Sequence, residues 1–196
     1  MHSNFHAMLS RMKHIKRWAL MRNTREENLC EHSYDVAVIA HALAVLTNTR
    51  FGGIVNVETC VLTALYHDVS EILTGDLPTP VKYDNPTIRD AYKQLESVAS
   101  QKLLSMLPED LQMAYQPYVM AEEDTEESRI VKAADKISAL IKCIEELAGG
   151  NGEFREARRA TEEAVRAMDL PAANAFLDEF LPAFSLTLDE QQDTKK

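Results

Sequence analysis

The stretch Ala64-Leu65-Tyr66-His67-Asp68-Val69-Ser70-Glu71-Ile72-Leu73-Thr74-Gly75-Asp76 constrains the chain most, because it puts ionisable groups on an otherwise apolar helical face. Val57, Cys60, Val61 and Ala64 recur at spacings of three and four, which predicts a helix from about Val57 that stops at Gly75. The same stripe runs on into His67, Asp68 and Glu71. An unpaired buried charge is costly, and the negative end of a helix dipole disfavours carboxylates. A bound divalent cation removes both difficulties. The competing explanation is a hydrogen-bonded histidine beside a helix-end carboxylate, but two such buried groups would each need a partner of their own. Adjacent helical side chains point about 100° apart, and both can still reach one cation near the helix end.

The other segments share the helical period, and none alternates with period two, so the reading is an all-α fold. A first helix from about Phe5 to Lys16 sets Phe5, Met8, Leu9 and Met12 inward. An irregular stretch holding Arg17, Trp18 and Arg22 follows. Asn28 with Glu31 has the form of a capping box and opens a helix to about Thr47, with Val36, Ile39, Ala40 and Leu43 inward and His32 facing the core near its start. After Gly75, Pro78 and Pro80 forbid continued helix and predict an extended loop that forms a pocket wall. Asn85-Pro86 starts a helix with Ile88, Ala91 or Tyr92, Leu95, Ala99 and Leu103 inward, and Pro108 ends it. A short segment from Glu109 to Tyr115 is stopped by Pro117. The acids from Glu122 to Glu127 read as a solvated helix start, ahead of a helix from Glu127 to Ala148 with Ile130, Ala134, Ile137, Ile141 and Ile144 inward. Two further helices span about Glu153 to Met168 and Pro171 to Leu181, and a polar tail beyond Leu188 is expected to fray.

With 196 residues the chain suits one domain, with a core over about residues 5–188 and a tail over 189–196. Hydrophobic residues make up 45% and charged residues 27%, without a run of eighteen apolar residues, so neither disorder nor a membrane partner is expected. A net charge of -10 argues against a surface for nucleic acid polymers. Cys30, Cys60 and Cys143 are odd in number and widely spaced, which suits free core thiols in a reducing compartment, by default the cytoplasm. The first twenty residues lack the uninterrupted apolar core of a secretory signal.

His67 and Asp68 cannot close a coordination sphere, so other helices must supply donors. His32 is the first candidate. Asp135 is the second, although it lies at the edge of its helix stripe and pattern alone would make it solvated. A histidine on one helix, His-Asp on the next and an aspartate on a later one resembles the H…HD…D pattern of the HD-domain metal-dependent phosphohydrolases. The resemblance extends to Arg17-Trp18, Arg22-Asn23, Glu31-His32-Ser33, the loop Thr74-Gly75-Asp76-Leu77-Pro78-Thr79-Pro80, Ala134-Asp135 and the run from Leu140 to Leu147. These look like the bacterial 5'-deoxynucleotidase branch over nearly the whole chain, and less so after Pro108 and in the C-terminal third.

The resemblance implies an HD-domain helical bundle that hydrolyses deoxyribonucleoside 5'-monophosphates, binds one divalent metal through His32, His67, Asp68 and Asp135, and forms a homodimer. Cobalt, manganese, zinc and iron all suit imidazole with carboxylate. Arg17 would clamp phosphate, and Glu71 would serve as general acid or base. Trp18, His32, Asp76, Leu77, Pro78, Thr79 and Asp135 would contact substrate, with Asp76 accepting from the 3'-hydroxyl. His2, His6, His14 and His41 have no ligand spacing. The alternatives are a superfamily relative acting on a dNTP, a cyclic dinucleotide or an alarmone, or a non-catalytic, metal-stapled helical module. Larger substrates would need more cationic groups than Arg17, Arg22 and Lys82.

Overall fold

In the computed structural model, which describes residues 2–82, 85–122 and 124–192 without the side chains of Thr79 and Pro80, helices α1 (Phe5–Leu9), α2 (Leu29–Arg50), α3 (Val57–Tyr66) and α4 (Glu71–Thr74) come first. They are followed by α5 (Thr79–Lys82), α6 (Pro86–Leu104), α7 (Glu109–Val119), α8 (Glu126–Ala148), α9 (Arg155–Arg166), α10 (Pro171–Glu179) and α11 (Leu188–Gln192). Short 3₁₀ turns cover Ser10–His14, Gly152–Phe154 and Leu181–Ser185. The fold is all-α, as expected.

α2 and α8 are the central pair. The Asn28 side chain accepts from the Cys30 and Glu31 amides at 3.0 and 3.1 Å, and Glu31 accepts from the Asn28 amide, so the capping box opens α2 as its sequence requires. Thr125 and Ser128 cap α8 in the same reciprocal way. Val36, Ile39, Ala40 and Leu43 of α2 meet Ile130, Ala134, Ile137 and Ile141 of α8, with Cys60 and Ala64 of α3 and Phe176 of α10 in the same core. Each large aliphatic or aromatic side chain here contributes about 1.5–3 kcal/mol by burial. A smaller cluster of Phe5, Met12, Leu29, Val69, Leu103 and Val119 packs the N-terminus against the ends of α6 and α7. α2 is also the one helix among the described residues long and apolar enough to cross a membrane, yet 56% of that window is buried inside the protein.

Several expectations fail locally. The helix from Val57 does not run to Gly75: α3 ends at Tyr66, and α4 is a separate turn. Just after Tyr66 the backbone bonds join residues three apart, Val69 N to Tyr66 O at 3.2 Å and Glu71 N to Asp68 O at 3.0 Å. The His67 ring meanwhile donates from Nδ1 to the Ala64 carbonyl at 2.7 Å. The chain tightens there and turns both functional side chains inward. The first expected helix divides into α1 and a 3₁₀ turn. The loop after Asp76 is not extended throughout, because Pro80 lies in the first turn of α5, where its missing N–H is no loss. Pro117 likewise does not stop α7, which continues to Val119 near a C-terminal end held by apolar packing. Ile88 and Leu95 are exposed while Tyr92, Ala99 and Leu103 are buried, so the inward face of α6 is narrower than its apolar pattern. Cys30 is exposed beside the inward Leu29, whereas Cys60 and Cys143 are buried. The tail beyond Leu188 is helical to Gln192, and residues 193–196 lie outside the described residues.

Candidate metal centre and adjoining clefts

α2, the turn after α3, and α8 bring four side chains together. Ligand-type atoms of His32, His67 and Asp135 all lie within 4.8 Å of one another. Asp68 sends Oδ2 to 3.1 Å from His67 Nε2 and 3.6 Å from His32 Nε2, so it shares the same point. The two imidazole centroids are 5.3 Å apart. Asp135 is partly exposed at the rim, as its helix pattern suggests, but its Oδ1 meets His32 Nε2 at 3.1 Å.

The donor set fits a divalent cation on two structural grounds. Because a carbonyl only accepts, the His67 contact with Ala64 fixes the proton on Nδ1 and leaves the Nε2 lone pair inward in the neutral ring. Among the described residues that buried Nε2 has no settled hydrogen-bond partner, and Asp68 Oδ2 approaches it at an ion-pair distance of 3.1 Å. His32 has the complementary support: its Nδ1 is 3.1 Å from the Ser138 hydroxyl, which orients the ring so that Nε2 faces the cluster.

Charge follows the same geometry. Burial works against ionisation of Asp68, but His67, His32 and Arg17 outweigh it and hold the carboxyl far below its usual range. Desolvation also opposes Asp135, which its hydrogen bond to His32 and the charge of the imidazoles nevertheless lower to about 2. Burial lowers His67, and the neighbouring Asp68 and Asp135 more than compensate, raising it to about 9. The site sets the Nε2 atoms of His67 and His32 beside two carboxylates held ionised, and a divalent cation that displaced the ring protons would meet nitrogen and oxygen donors together.

Arg17 is half-buried with Nη1 3.3 Å from Asp68 Oδ2, while its Nε, 3.6 Å from Glu27, has no hydrogen-bond partner among the described residues. Burial alone would lower the guanidinium; Asp68, Asp135, Asp76 and Glu27 raise it instead. Trp18 adopts φ 59°, a left-handed conformation that costs about 1–3 kcal/mol in a non-glycine residue. Its indole N–H donates to Glu27 Oε2 at 2.7 Å and its ring packs 5.3 Å from Phe154. Glu71 is 4% exposed with Oε2 unpartnered. Burial, then the charges of Asp68 and Asp76, push its carboxyl up to about 9 against the pull of Arg17 and Lys82. Burial also raises Asp76, opposed by Arg17.

Two clefts meet at Asp135. One of about 630 Å³ is lined by Arg17, Trp18, Asp76, Pro78, Asp135 and Lys136 on one side and by Ala157, Ala160, Thr161 and Ala164 of α9 on the other. The other, of about 420 Å³, includes His67, Asp68 and Asp135 with Lys82, Lys93 and Lys132. Leu77 is half-buried but outside the described wall of the larger cleft, and the Thr79 side chain lies outside the described residues. Arg22 does not join the site: it is 92% exposed and pairs with Glu153 at 2.9 Å. His2, His6, His14 and His41 are all exposed. Sequence reading missed Glu27, which precedes a cap and belongs to no stripe, and Ser138, whose place one turn after Asp135 on α8 was an available signal.

The sequence model of the 5'-deoxynucleotidase YfbR-like family matches residues 4–184. The chain is 51% identical over 189 residues to a 5'-deoxynucleotidase of Vibrio vulnificus, covering 96% of this chain and 97% of that one. Among solved structures it is similar to an HD-domain phosphohydrolase from Listeria innocua, with a TM-score of 0.80, 27% identity, and 92% and 88% of the two chains covered. A cyanophage S-2L HD phosphohydrolase, bound to dA and one catalytic Zn²⁺ ion, shares the fold at a TM-score of 0.67 and 20% identity over 92% of this chain and 96% of that one. The helical order, the converging His and Asp side chains and the extent of these matches lead to one assignment: the chain belongs to the YfbR-like 5'-deoxynucleotidase family of HD-domain, metal-binding hydrolases.

Proposed function

We propose that the protein hydrolyses 2'-deoxyribonucleoside 5'-monophosphates to deoxynucleoside and phosphate. The observation that carries this reading is the larger cleft, which joins an arginine, a tryptophan and an aspartate to the His/Asp cluster at one end and reaches an apolar wall at the other. His32, His67, Asp68 and Asp135 would hold one divalent cation, for which cobalt, manganese, zinc and iron are the candidates by donor type. Such a cation supplies Lewis acidity toward phosphate and a bound water of lowered pKa.

The protein's own groups would divide the remaining work. Arg17 directs guanidinium hydrogens at phosphate oxygens and offsets charge in the transition state. Glu71, whose carboxyl is raised by burial and then by Asp68 and Asp76, suits the acid that delivers a proton to the leaving 5'-oxygen better than the base. Asp76 accepts from the sugar 3'-hydroxyl, with Leu77, Pro78 and Thr79 walling off a 2'-hydroxyl and Trp18 closing the sugar side. The alanines of α9 offer apolar contact to a base, with the Thr161 hydroxyl, which can donate or accept, as the polar group on that wall, and this favours weak preference among bases. Phosphate release from dAMP and AMP tests the sugar reading: a large preference for dAMP is expected, and equal rates would sink it.

A cytoplasmic homodimer completes the proposal. Its support is the free thiols and the exposed apolar side chains Tyr34, Val38 and Val45, spaced at four and seven along one face of α2. A second reading, hydrolysis of a nucleoside triphosphate, draws on Lys82, Lys93 and Lys132 along the smaller cleft, although Glu96 and Glu122 share that surface. Separating phosphate, pyrophosphate and triphosphate among the products distinguishes the two.

A further inference from the structure

The segment that brings Arg17, Trp18 and Glu27 to the site contains no helix, and its position depends on a buried ion pair remote from the reaction. Its base is closed by backbone bonds, Arg17 N to Glu27 O and Leu29 N to Ile15 O, both 3.0 Å. Its tip is held by Glu146 of α8, which is 1% exposed. The Thr24 amide and hydroxyl donate to Glu146 Oε2 at 2.9 and 2.7 Å, and the Arg25 amide donates to Oε1 at 3.2 Å. Asn151 donates from Nδ2 to Glu146 at 2.9 Å and to the Arg22 carbonyl at 2.7 Å. Lys142 donates both to Glu146 and to the Arg25 carbonyl. Its ammonium lies 5.9 Å from the Phe154 ring against which Trp18 packs.

A buried ion pair is weak evidence for stability, because apolar side chains of similar volume usually serve as well. Leucine or methionine in these places could not supply directional bonds to three backbone groups and one hydroxyl of one loop. Glu146 and Lys142 lie in the run of α8 after Asp135 and are not among the side chains facing the His/Asp cluster or its clefts. We propose that Glu146, with Lys142, is a positioning residue for the reaction. It fixes the loop from Arg22 to Arg25, and through that loop sets Arg17 and Trp18 against the larger cleft.

This inference rests on the reading that Arg17 and Trp18 serve the substrate, and its test has one arm that needs no substrate. Trp18 is the chain's single tryptophan, so emission excited at the red edge, beyond the absorption of the six tyrosines, reports this loop. In the metal-loaded, full-length protein, Glu146→Gln keeps the side-chain shape but loses the charge and places an amide among donors. The expected result is native far-UV circular dichroism and unchanged affinity for the added metal, with red-shifted Trp18 emission and a loss in kcat/KM for dAMP of about 10- to 100-fold. In an Arg17→Lys background the same change should cost little further, because both act through the Arg17 contact. Unchanged emission and kcat/KM would overturn the proposal, and so would losses that multiply in the double variant. Should Glu146→Gln fail to fold, Thr24→Val removes the hydroxyl bond alone; smaller shifts in the same direction support the proposal, and native emission with native kcat/KM overturns it. Absence of dAMP hydrolysis by the unaltered protein would defeat the functional reading instead, with the emission shift still deciding whether Glu146 holds the loop.

Discussion

Glu71→Gln separates the proton-donating role proposed for Glu71 from its effect on stability. The carboxyl is 4% exposed, and its pKa is raised from 4.5 to about 9, first by burial and then by Asp68 and Asp76. The folded state therefore keeps a proton that the unfolded chain releases above 4.5. The sign follows: this contribution to stability is fully present below 4.5 and is lost as pH rises toward about 9. Each pH unit in that window is worth up to about 1.4 kcal/mol, so the loss accumulated by neutrality is up to about 3 kcal/mol. Glutamine has nearly the same shape and releases no proton. Urea denaturation of the chelated proteins between about pH 5 and pH 8 should show the variant gaining on the unaltered protein by about 1 kcal/mol per pH unit. In the metal-loaded enzyme the variant should lose about 10²- to 10⁴-fold in kcat, since the leaving oxygen has lost its acid. The unaltered enzyme should slow as pH rises through the pKa of Glu71, which a bound dication beside Asp68 sets below its metal-free value. Parallel stability lines, or near-normal turnover by the variant with metal bound, would refute the reasoning.

Arg17→Lys keeps the charge but removes the planar fork, and is expected to lower kcat/KM by about 10- to 100-fold with metal affinity unchanged; full activity in steady-state kinetics would count against the phosphate clamp. Ala160→Leu adds side-chain volume to the α9 wall of the larger cleft and should slow purine deoxynucleotides by about tenfold or more relative to thymidine monophosphate. The abasic substrate 2-deoxyribose 5-phosphate should be unaffected, and equal losses on all three substrates would place the base elsewhere.

Helix identity and most of the core were legible because they follow from spacing: Asn28 with Glu31 marks a start, and Ile130, Ala134, Ile137 and Ile141 mark a buried face. His67 and Asp68 stood out because they continue an apolar stripe, and His32 and Asp135 became legible only with the family pattern. The turn at His67 was not legible, since its cause is a ring nitrogen bonded to the Ala64 carbonyl, and periodicity carries no record of side-chain competition for backbone groups. The exposure of Ile88 and Leu95 depends on which neighbours α6 meets, and those neighbours are distant in the chain. Glu27 and Glu146 escaped for the same reason: each acquires its meaning from an irregular loop whose path no repeat encodes. The loop is pinned by residues more than a hundred positions away.

His32, His67, Asp68 and Asp135 are proposed to form one cation site that the hydrolysis requires. The most direct measurement follows phosphate release from dAMP by the protein as purified, after exhaustive chelation, and after adding back cobalt or manganese, with metal content determined at each stage. Turnover should be lost on chelation, recover on adding back about one metal per chain, and not recover in a His67→Ala protein. Undiminished turnover by metal-free protein, or full recovery without His67, would contradict this proposal.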